Sequence, residues 1–483
     1  MDYQSTRSTI KTDSVNAVLQ GIAPDGGLFA DPSIESICFD WKKCLKLKTQ
    51  DMAVMILKAL LPDFENMEDL VKKAYTGKFE TEDLTPLVKC GDLHILELFR
   101  GPTSAFKDVA LSMLPQLVTA ALSQTGAEKE VTILTATSGD TGKAALEGFK
   151  NVPGTRIIVF YPDNGVSEMQ HLQMATQEGD NVCVCAVKGN FDDCQSGVKN
   201  AFSTLKDKLE GSRFTLSSAN SINIGRLAPQ VVYYFAAYRD LIKDGTIKEG
   251  EPVDFCVPTG NFGDILAGYY AKLMGLPVSK LICASNANNV LTDFLTTGVY
   301  NKVRPFYRTE SPSMDILVSS NLERLLFLAC GKDTEKVAGW MKDLNTVGKF
   351  KVDEKTFSYI TSSFEAAWCS QEETEKAILD CWNKNGYLCD THTAVAYHVA
   401  DRRKSSTPTV VLSTASPYKF PQAVLKALGQ SEEGNCFDLL RRLNGYTGVP
   451  VPQNLKNLEG KKVRFNKSIE KNEINDFVLS TLK

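Results

Sequence analysis

Between residues 131 and 260, β-branched apolar runs alternate with segments of helical periodicity, and no other feature of the chain constrains its fold as much. The runs are VTILTAT (131–137), TRIIVFYP (155–162), NVCVCAVKG (181–189), RFTLSSAN (213–220) and VDFCVPTG (253–260). Amphipathic stretches over 142–150, 168–178, 191–209 and 224–242 lie between them. Strand, helix and strand in succession is the βαβ pattern, in which parallel strands are joined by helical crossovers that cover the sheet. The predicted class is therefore α/β. Two further runs, LPVSKLICASN (276–286) and TPTVVLSTAS (407–416), extend the pattern. The mostly helical, charged stretch of about 288–400 between them reads as an inserted or accessory helical segment.

Residues 1–90 lack this alternation: they are turn-rich over 21–32 and helical over about 49–75, and they read as a separate N-terminal element. From about 431 to 483 the chain is polar, with a basic patch at Lys461, Lys462, Arg464 and Lys467, and 472–482 is predicted as a closing helix. A length of 483 residues fits about three domains, or two large ones. Lys and Arg total 54 and Asp and Glu 58, without a long run of one sign, which argues against an electrostatically driven nucleic-acid binder. No apolar stretch is long enough to span a bilayer, so no membrane partner is expected. The opening MDYQSTRS has no apolar core of a signal peptide, and the expected location is cytoplasmic. The 13 Cys form no CxxC pair and read as reduced thiols. Cys183 and Cys185 share a strand face as core residues, the four His fit no zinc spacing, and no metal site is expected.

Chemistry concentrates in four runs. In LFRGPTSAFKDVALSML (98–114) a turn at Gly101–Pro102 precedes a helical pattern, placing Lys107 in the first helical turn. A helix N-terminus disfavours a cation there. Lys107 is then either a solvated lysine paired with Asp108 or an amine that is readily uncharged and able to form a Schiff base. TATSGDTG (135–142) joins a strand to a helix, and its small residues form either an anion cradle or an ordinary helix cap by Ser138. PTGNFGD (258–264) is a Gly-rich turn at the same kind of junction, compatible with a bound phosphate. In LSTASPYKF (412–420), Thr414 emerges at a strand end, either as a turn former or at the place where open α/β sheets bind ligands.

Taken together, SAFKD, TATSGDTG, GNFGD and STASPYKF, in this order, resemble the fold type II pyridoxal-phosphate enzymes and specifically the long-chain threonine synthase family. YQSTR with GIAPDGGLF, and SSANSINIGRLAPQVVYYF (217–235), are similar to the same family, most of all to an animal branch of threonine-synthase-like proteins. The resemblance implies a tryptophan-synthase-β-like α/β core of two lobes with a parallel sheet in each, spanning 91–430, with the smaller, mobile lobe over about 130–220. It implies pyridoxal 5'-phosphate as cofactor and Lys107 as its Schiff-base lysine. Gly260, Asn261, Phe262 and Gly263 would hold the cofactor phosphate, Thr414 the ring nitrogen, and Asp140 would lie near the ring hydroxyl. Ser138, Gly139 and Thr141 would line the substrate-carboxylate side, and Asn220, Ser221, Asn223 and Arg226 would contact the substrate phosphate.

The resemblance further implies a small phosphorylated amino acid as substrate. Three positions depart from the synthase pattern: Ser416 stands where a His is common, Asp264 replaces the second Asn of GNFGN, and Ser8 the Gly of STRG. These departures count against water addition, and the resemblance to the animal branch implies a phospho-lyase reaction on O-phosphohomoserine, and also on O-phosphothreonine, giving 2-oxobutyrate, ammonia and phosphate. Conversion of O-phosphohomoserine to threonine is the alternative, and a cofactor-binding or partner-binding pseudoenzyme the reading of a different class. Oligomeric state is not legible.

Overall fold

A computed structural model describes residues 2–163, 165–205 and 207–482. Two sheets organise it. The larger has six strands in the order Phe364–Trp368, Val278–Ser285, Val253–Pro258, Thr409–Ser413, Leu93–Glu97 and Leu87–Cys90. All neighbours are parallel except the last two, which form an antiparallel pair. The smaller has five parallel strands in the order Ser468–Glu470, Val182–Lys188, Thr155–Pro162, Glu130–Ala136 and Phe214–Ser217. Every residue of Val253–Pro258, Thr409–Ser413 and Leu93–Glu97 is buried. Strands covered on both faces read as continuous apolar runs, which is how Val253–Pro258 and Thr409–Ser413 showed in the sequence. The equally buried Leu93–Glu97 includes His94 and Glu97 and was not among the predicted strands.

The predicted strands exist, but 213–220 is strand only over Phe214–Ser217, after which the chain turns out of the sheet. The stretch 288–400 is not wholly helical. It contributes the edge strand Phe364–Trp368 and the antiparallel pair Val299–Asn301 with Lys349–Lys351. FEAAW escapes a search for apolar runs because an edge strand is only half covered: Glu365 to Ala367 are part-exposed and Trp368 is exposed. The C-terminal segment is likewise built into the fold. Ser468–Glu470 is the edge of the five-stranded sheet, and the helix Ile474–Thr481 buries Ile474, Phe477 and Val478 with Val198, Ala201 and Leu205. Gly197 lets that helix approach, since a Cβ there would meet Ile474 Cδ1 at 2.2 Å. The basic patch is partly spent internally: Lys461 pairs with Glu178, and Arg464 donates to the carbonyl of Gln177 at 2.7 Å.

The N-terminal residues form a small antiparallel sheet of Tyr3–Ser5, Lys11–Thr12 and Phe29–Ala30, followed by the helices Thr49–Leu60 and Met67–Tyr75. The second helix buries Met67, Leu70, Val71, Ala74 and Tyr75, the stripe of a one-sided helix. Tyr75 donates to the carbonyl of Val109, tying this region to the helix Lys107–Thr125. That helix contains Pro115, which has no N–H for the carbonyl of Leu111. Gly148, on the helix Asp140–Phe149, packs against this carbonyl; a Cβ at 148 would lie 2.0 Å from the oxygen. The contact sets the two helices side by side, and each begins with a residue of the site.

Candidate functional site

Four loops leave the C-terminal ends of strands from both sheets and converge on a cavity of about 990 Å³. Its walls come from Ser138, Asp140 and Thr141 after Glu130–Ala136, from Asn220, Ser221 and Arg226 after Phe214–Ser217, from 260–264 after Val253–Pro258, and from Thr414 after Thr409–Ser413. Strand ends are where open parallel sheets leave polar backbone free for a ligand.

Lys107 opens the helix Lys107–Thr125 on the floor of this cavity. The preceding loop is zipped to the end of Thr409–Ser413. Phe106 N donates to Thr414 O at 2.8 Å, Ser416 N to Ser104 O at 3.1 Å, and Ala105 bridges Ala415. Ser104 turns the chain with φ 59°. Lys107 is 8% exposed, so the solvated reading does not hold. Its partner is not Asp108, whose carboxylate accepts from Thr103 N at 2.8 Å and from the Thr103 hydroxyl, and which burial raises to about 6 against those bonds. Lys107 Nζ lies 4.4 Å from the Phe106 ring and 3.9 Å from Asp140 Oδ2. Burial lowers the amine to about 8; Asp140 opposes this, and the charges of Lys419 and Arg226 reinforce it.

Asp140 is buried and better paired elsewhere. Lys419 Nζ is 2.5 Å from its Oδ1, and Gln170 Nε2 donates to the same oxygen at 2.9 Å. Burial works to raise this carboxyl, but Lys419 and Lys107 outweigh it and hold the group well below the usual carboxylate range. The sequence reading did not single out Lys419. Its one signal was a lysine five residues after Thr414 in STASPYKF, in the turn that follows the strand.

Gly260–Gly263 form a cradle at the start of the helix Gly263–Leu273. A Cβ on Gly260 would stand 2.8 Å from Ser313 O, so only glycine fits. Phe262 is left-handed, with φ 64°, and its buried ring packs 5.6 Å from that of Phe364. Ser319 and Asn321 hold the outward carbonyls of Gly260 and Asn261, which leaves the helix N-terminus toward the cavity. The Thr414 hydroxyl makes no hydrogen bond among the described residues, although Thr414 lines the cavity. A buried amine close to neutrality, a glycine cradle at a helix N-terminus and a free hydroxyl at a strand end fit pyridoxal phosphate.

The remaining expected residues divide. Ser138, Thr141, Asn220, Ser221 and Arg226 line the cavity; Gly139 and Asn223 do not. Gly139, at φ 127°, backs onto Gln170, where a Cβ would collide at 2.4 Å. The Ser138 cap is not formed: the hydroxyl of Thr137 accepts from the amides of Gly139 and Gly142, both at 2.9 Å. Asn223 spends its amide on Gly225 N and Val18 O, capping the helix Ile224–Leu227 and fastening it to the N-terminal element. Arg226 donates through Nη1 to Ala219 O at 2.7 Å, while its buried Nε has no partner. Burial lowers its guanidinium to about 10.

Of the three departures, only Asp264 reaches the cavity. Its Oδ1 accepts from Tyr233 at 2.6 Å and Tyr234 at 3.0 Å, its Oδ2 is unpartnered, and burial raises it to about 6. Ser416 caps the short turn Pro417–Lys419 by accepting from Tyr418 N. Ser8 accepts from Ile10 N at the surface. His392, which the sequence reading left aside, lines the cavity, with Nδ1 2.9 Å from Asp390 and Nε2 accepting from Ser313 N at 3.2 Å. One group with metal-ligating atoms within 4.8 Å of one another, Cys369, Glu373 and His398, lies off the cavity. Arg402 occupies its carboxylate at 2.9 Å.

The family profile described as "Pyridoxal-phosphate dependent enzyme" matches residues 78–414. With two such sheets around a buried lysine, the protein is a fold type II pyridoxal-phosphate enzyme, and its cofactor is pyridoxal 5'-phosphate. Profiles described as "Threonine synthase N terminus" and "Threonine synthase, C-terminal" match 2–75 and 393–478. The chain belongs to the threonine synthase family. Threonine synthase of Saccharomyces cerevisiae is 40% identical over 466 residues, 88% of this chain and 89% of the yeast protein. Human threonine synthase-like 1 is 40% identical over 452 residues, 90% of this chain but only 60% of that longer relative. The crystal structure of PLP-bound threonine synthase from Brucella melitensis superposes with a TM-score of 0.85 at 37% identity, covering 100% of this chain and 99% of that one. No helix among the described residues is long and apolar enough to cross a membrane.

Proposed function

We propose that the protein is a phospho-lyase that converts O-phosphohomoserine, and secondarily O-phosphothreonine, to 2-oxobutyrate, ammonia and phosphate with uptake of one water. The observation that carries this reading is Lys107: a buried amine at about 8, at the floor of a cavity that also holds Arg226 with an unspent N–H. Pyridoxal phosphate bound here supplies an electron sink for the carbon next to the substrate's amino group. The amides of Gly260–Gly263 would hold its phosphate, and Thr414 would bond its ring nitrogen. Lys107 Nζ would take the proton from the substrate's α-carbon and, for a γ-phosphate, would take a second proton from the β-carbon only after giving up the first, since the amine has a single lone pair. Arg226, Asn220 and Ser221 hold the departing phosphate, and the amides of Asp140 and Thr141, which have no acceptor within their helix, face the carboxylate. Movement of the five-stranded sheet, read as the smaller lobe, would exclude water.

The elimination outcome is supported by Ser416. Where the synthase pattern places a His, this chain has a hydroxyl turned to cap Pro417–Lys419, which offers no base to direct water onto the β-carbon. The 40% identity to yeast threonine synthase favours the second reading, in which water is added and threonine released. Incubation with O-phosphohomoserine and simultaneous assay of phosphate, 2-oxobutyrate and threonine separates the two. Equal phosphate and 2-oxobutyrate are expected, and phosphate matched by threonine would overturn the lyase reading.

A further inference from the structure

We infer that Lys419 is a positioning residue for Lys107: by taking Asp140 as its own partner, it leaves the Lys107 amine without a close counter-ion and free to be uncharged. The inference rests on the reading of Lys107 as the cofactor lysine. Lys419 is fully buried behind the cavity wall, its Nζ 2.5 Å from Asp140 Oδ1 and 3.2 Å from the carbonyl of Thr103. Lys107 Nζ is 3.9 Å from the other oxygen, beyond hydrogen-bond reach. Attraction between charges rises as they approach, so the shorter contact takes the carboxylate.

The charged groups facing Lys107 come from four further elements: Asp140 from Asp140–Phe149, Lys419 from Pro417–Lys419, Arg226 from Ile224–Leu227 and Asp264 from Gly263–Leu273. Asp140 also faces His392, and Lys419 faces Asp108. Lys419 is thus one of two cations beside an amine that must shed a proton. Condensation with an aldehyde requires it: the nitrogen lone pair attacks the carbonyl carbon, a C=N bond forms, the carbonyl oxygen leaves as water, and the ammonium proton has gone to solvent. Without Lys419, Asp140 becomes the counter-ion of Lys107 and stabilises its ammonium form.

The test uses the full-length protein stripped of cofactor, with loading of added pyridoxal phosphate followed by visible absorbance across pH and thermal melting as a folding control. K419Q is expected to raise the midpoint of the loading rate by about one pH unit, so that loading below the midpoint slows about tenfold. K419R is expected to keep the wild-type midpoint, and the K419Q/D140N double variant to return to it, since both charges are removed. A mere strut would change melting without this pattern. A folded K419Q with the wild-type midpoint, or a double variant as displaced as K419Q, would overturn the inference. If K419Q does not fold, D140N is compared with K419Q/D140N: a higher midpoint in the latter supports the like-charge effect of Lys419, and equal midpoints overturn it. K107A serves as the separate control. Covalent loading that persists there would overturn the reading of Lys107 itself.

Discussion

Lys107, Asp140 and Lys419 form one buried electrostatic unit, in which the carboxylate attracts both amines and the two amines repel each other. Replacing Lys107 by Ala is expected to reduce phosphate release from O-phosphohomoserine by about a thousandfold or more while circular dichroism stays native. Retained turnover would remove Lys107 from the chemistry. Asp264 makes a different prediction. Burial raises its carboxyl to about 6, above its unfolded value, so the folded state binds more protons and stability falls as pH rises from about 4 to 6. Asp264→Asn keeps an acceptor for Tyr233 and Tyr234 but removes this titration. The variant is expected to gain on the wild type across that window, by up to roughly 3 kcal/mol in denaturant unfolding. Equal pH slopes for the two proteins would show that Asp264 is ionised throughout.

At the scale of elements, the site depends on the pair of helices that begin with Lys107 and Asp140. Pro115 frees a carbonyl, and Gly148 is small enough to sit on it. Gly148→Ala must push backbone from backbone, and it is expected to cost about 2 kcal/mol. A melting temperature equal to the wild type's would show that the helices can part without loss. The amphipathic stretch 142–150 showed the helix in advance. That its glycine answers a proline on another helix was not legible, because the pairing is a tertiary contact.

For the whole molecule, both ends of the chain are structural. The N-terminal element meets the site through Arg7, whose guanidinium grips Glu323 at 2.8 and 2.7 Å and which lines the cavity. The C-terminal residues complete the five-stranded sheet. Ending the chain after Lys467 would remove Ser468–Glu470 and uncover Val198, Ala201 and Leu205. Limited proteolysis of that variant is expected to cut within 130–217 while the six-stranded sheet stays protected. Uniform protection would mean that the terminal strand and helix contribute little.

The sequence by itself determined the seven strands that carry apolar runs, the order of the loops and the residue types in them, whereas Leu87–Cys90 and Leu93–Glu97 were not among the strands it showed. Runs buried on both faces, a glycine turn and a lysine at a helix start are local signals that physical chemistry reads directly. The tertiary structure alone decided which charge partners which. Asp108 turned to Thr103, Asn223 to Val18 and Asp140 to Lys419, and the edge strands Phe364–Trp368 and Ser468–Glu470 found their sheets. Half-covered strands carry mixed composition, and a buried ion pair depends on distances between segments far apart in the chain, which no local pattern encodes.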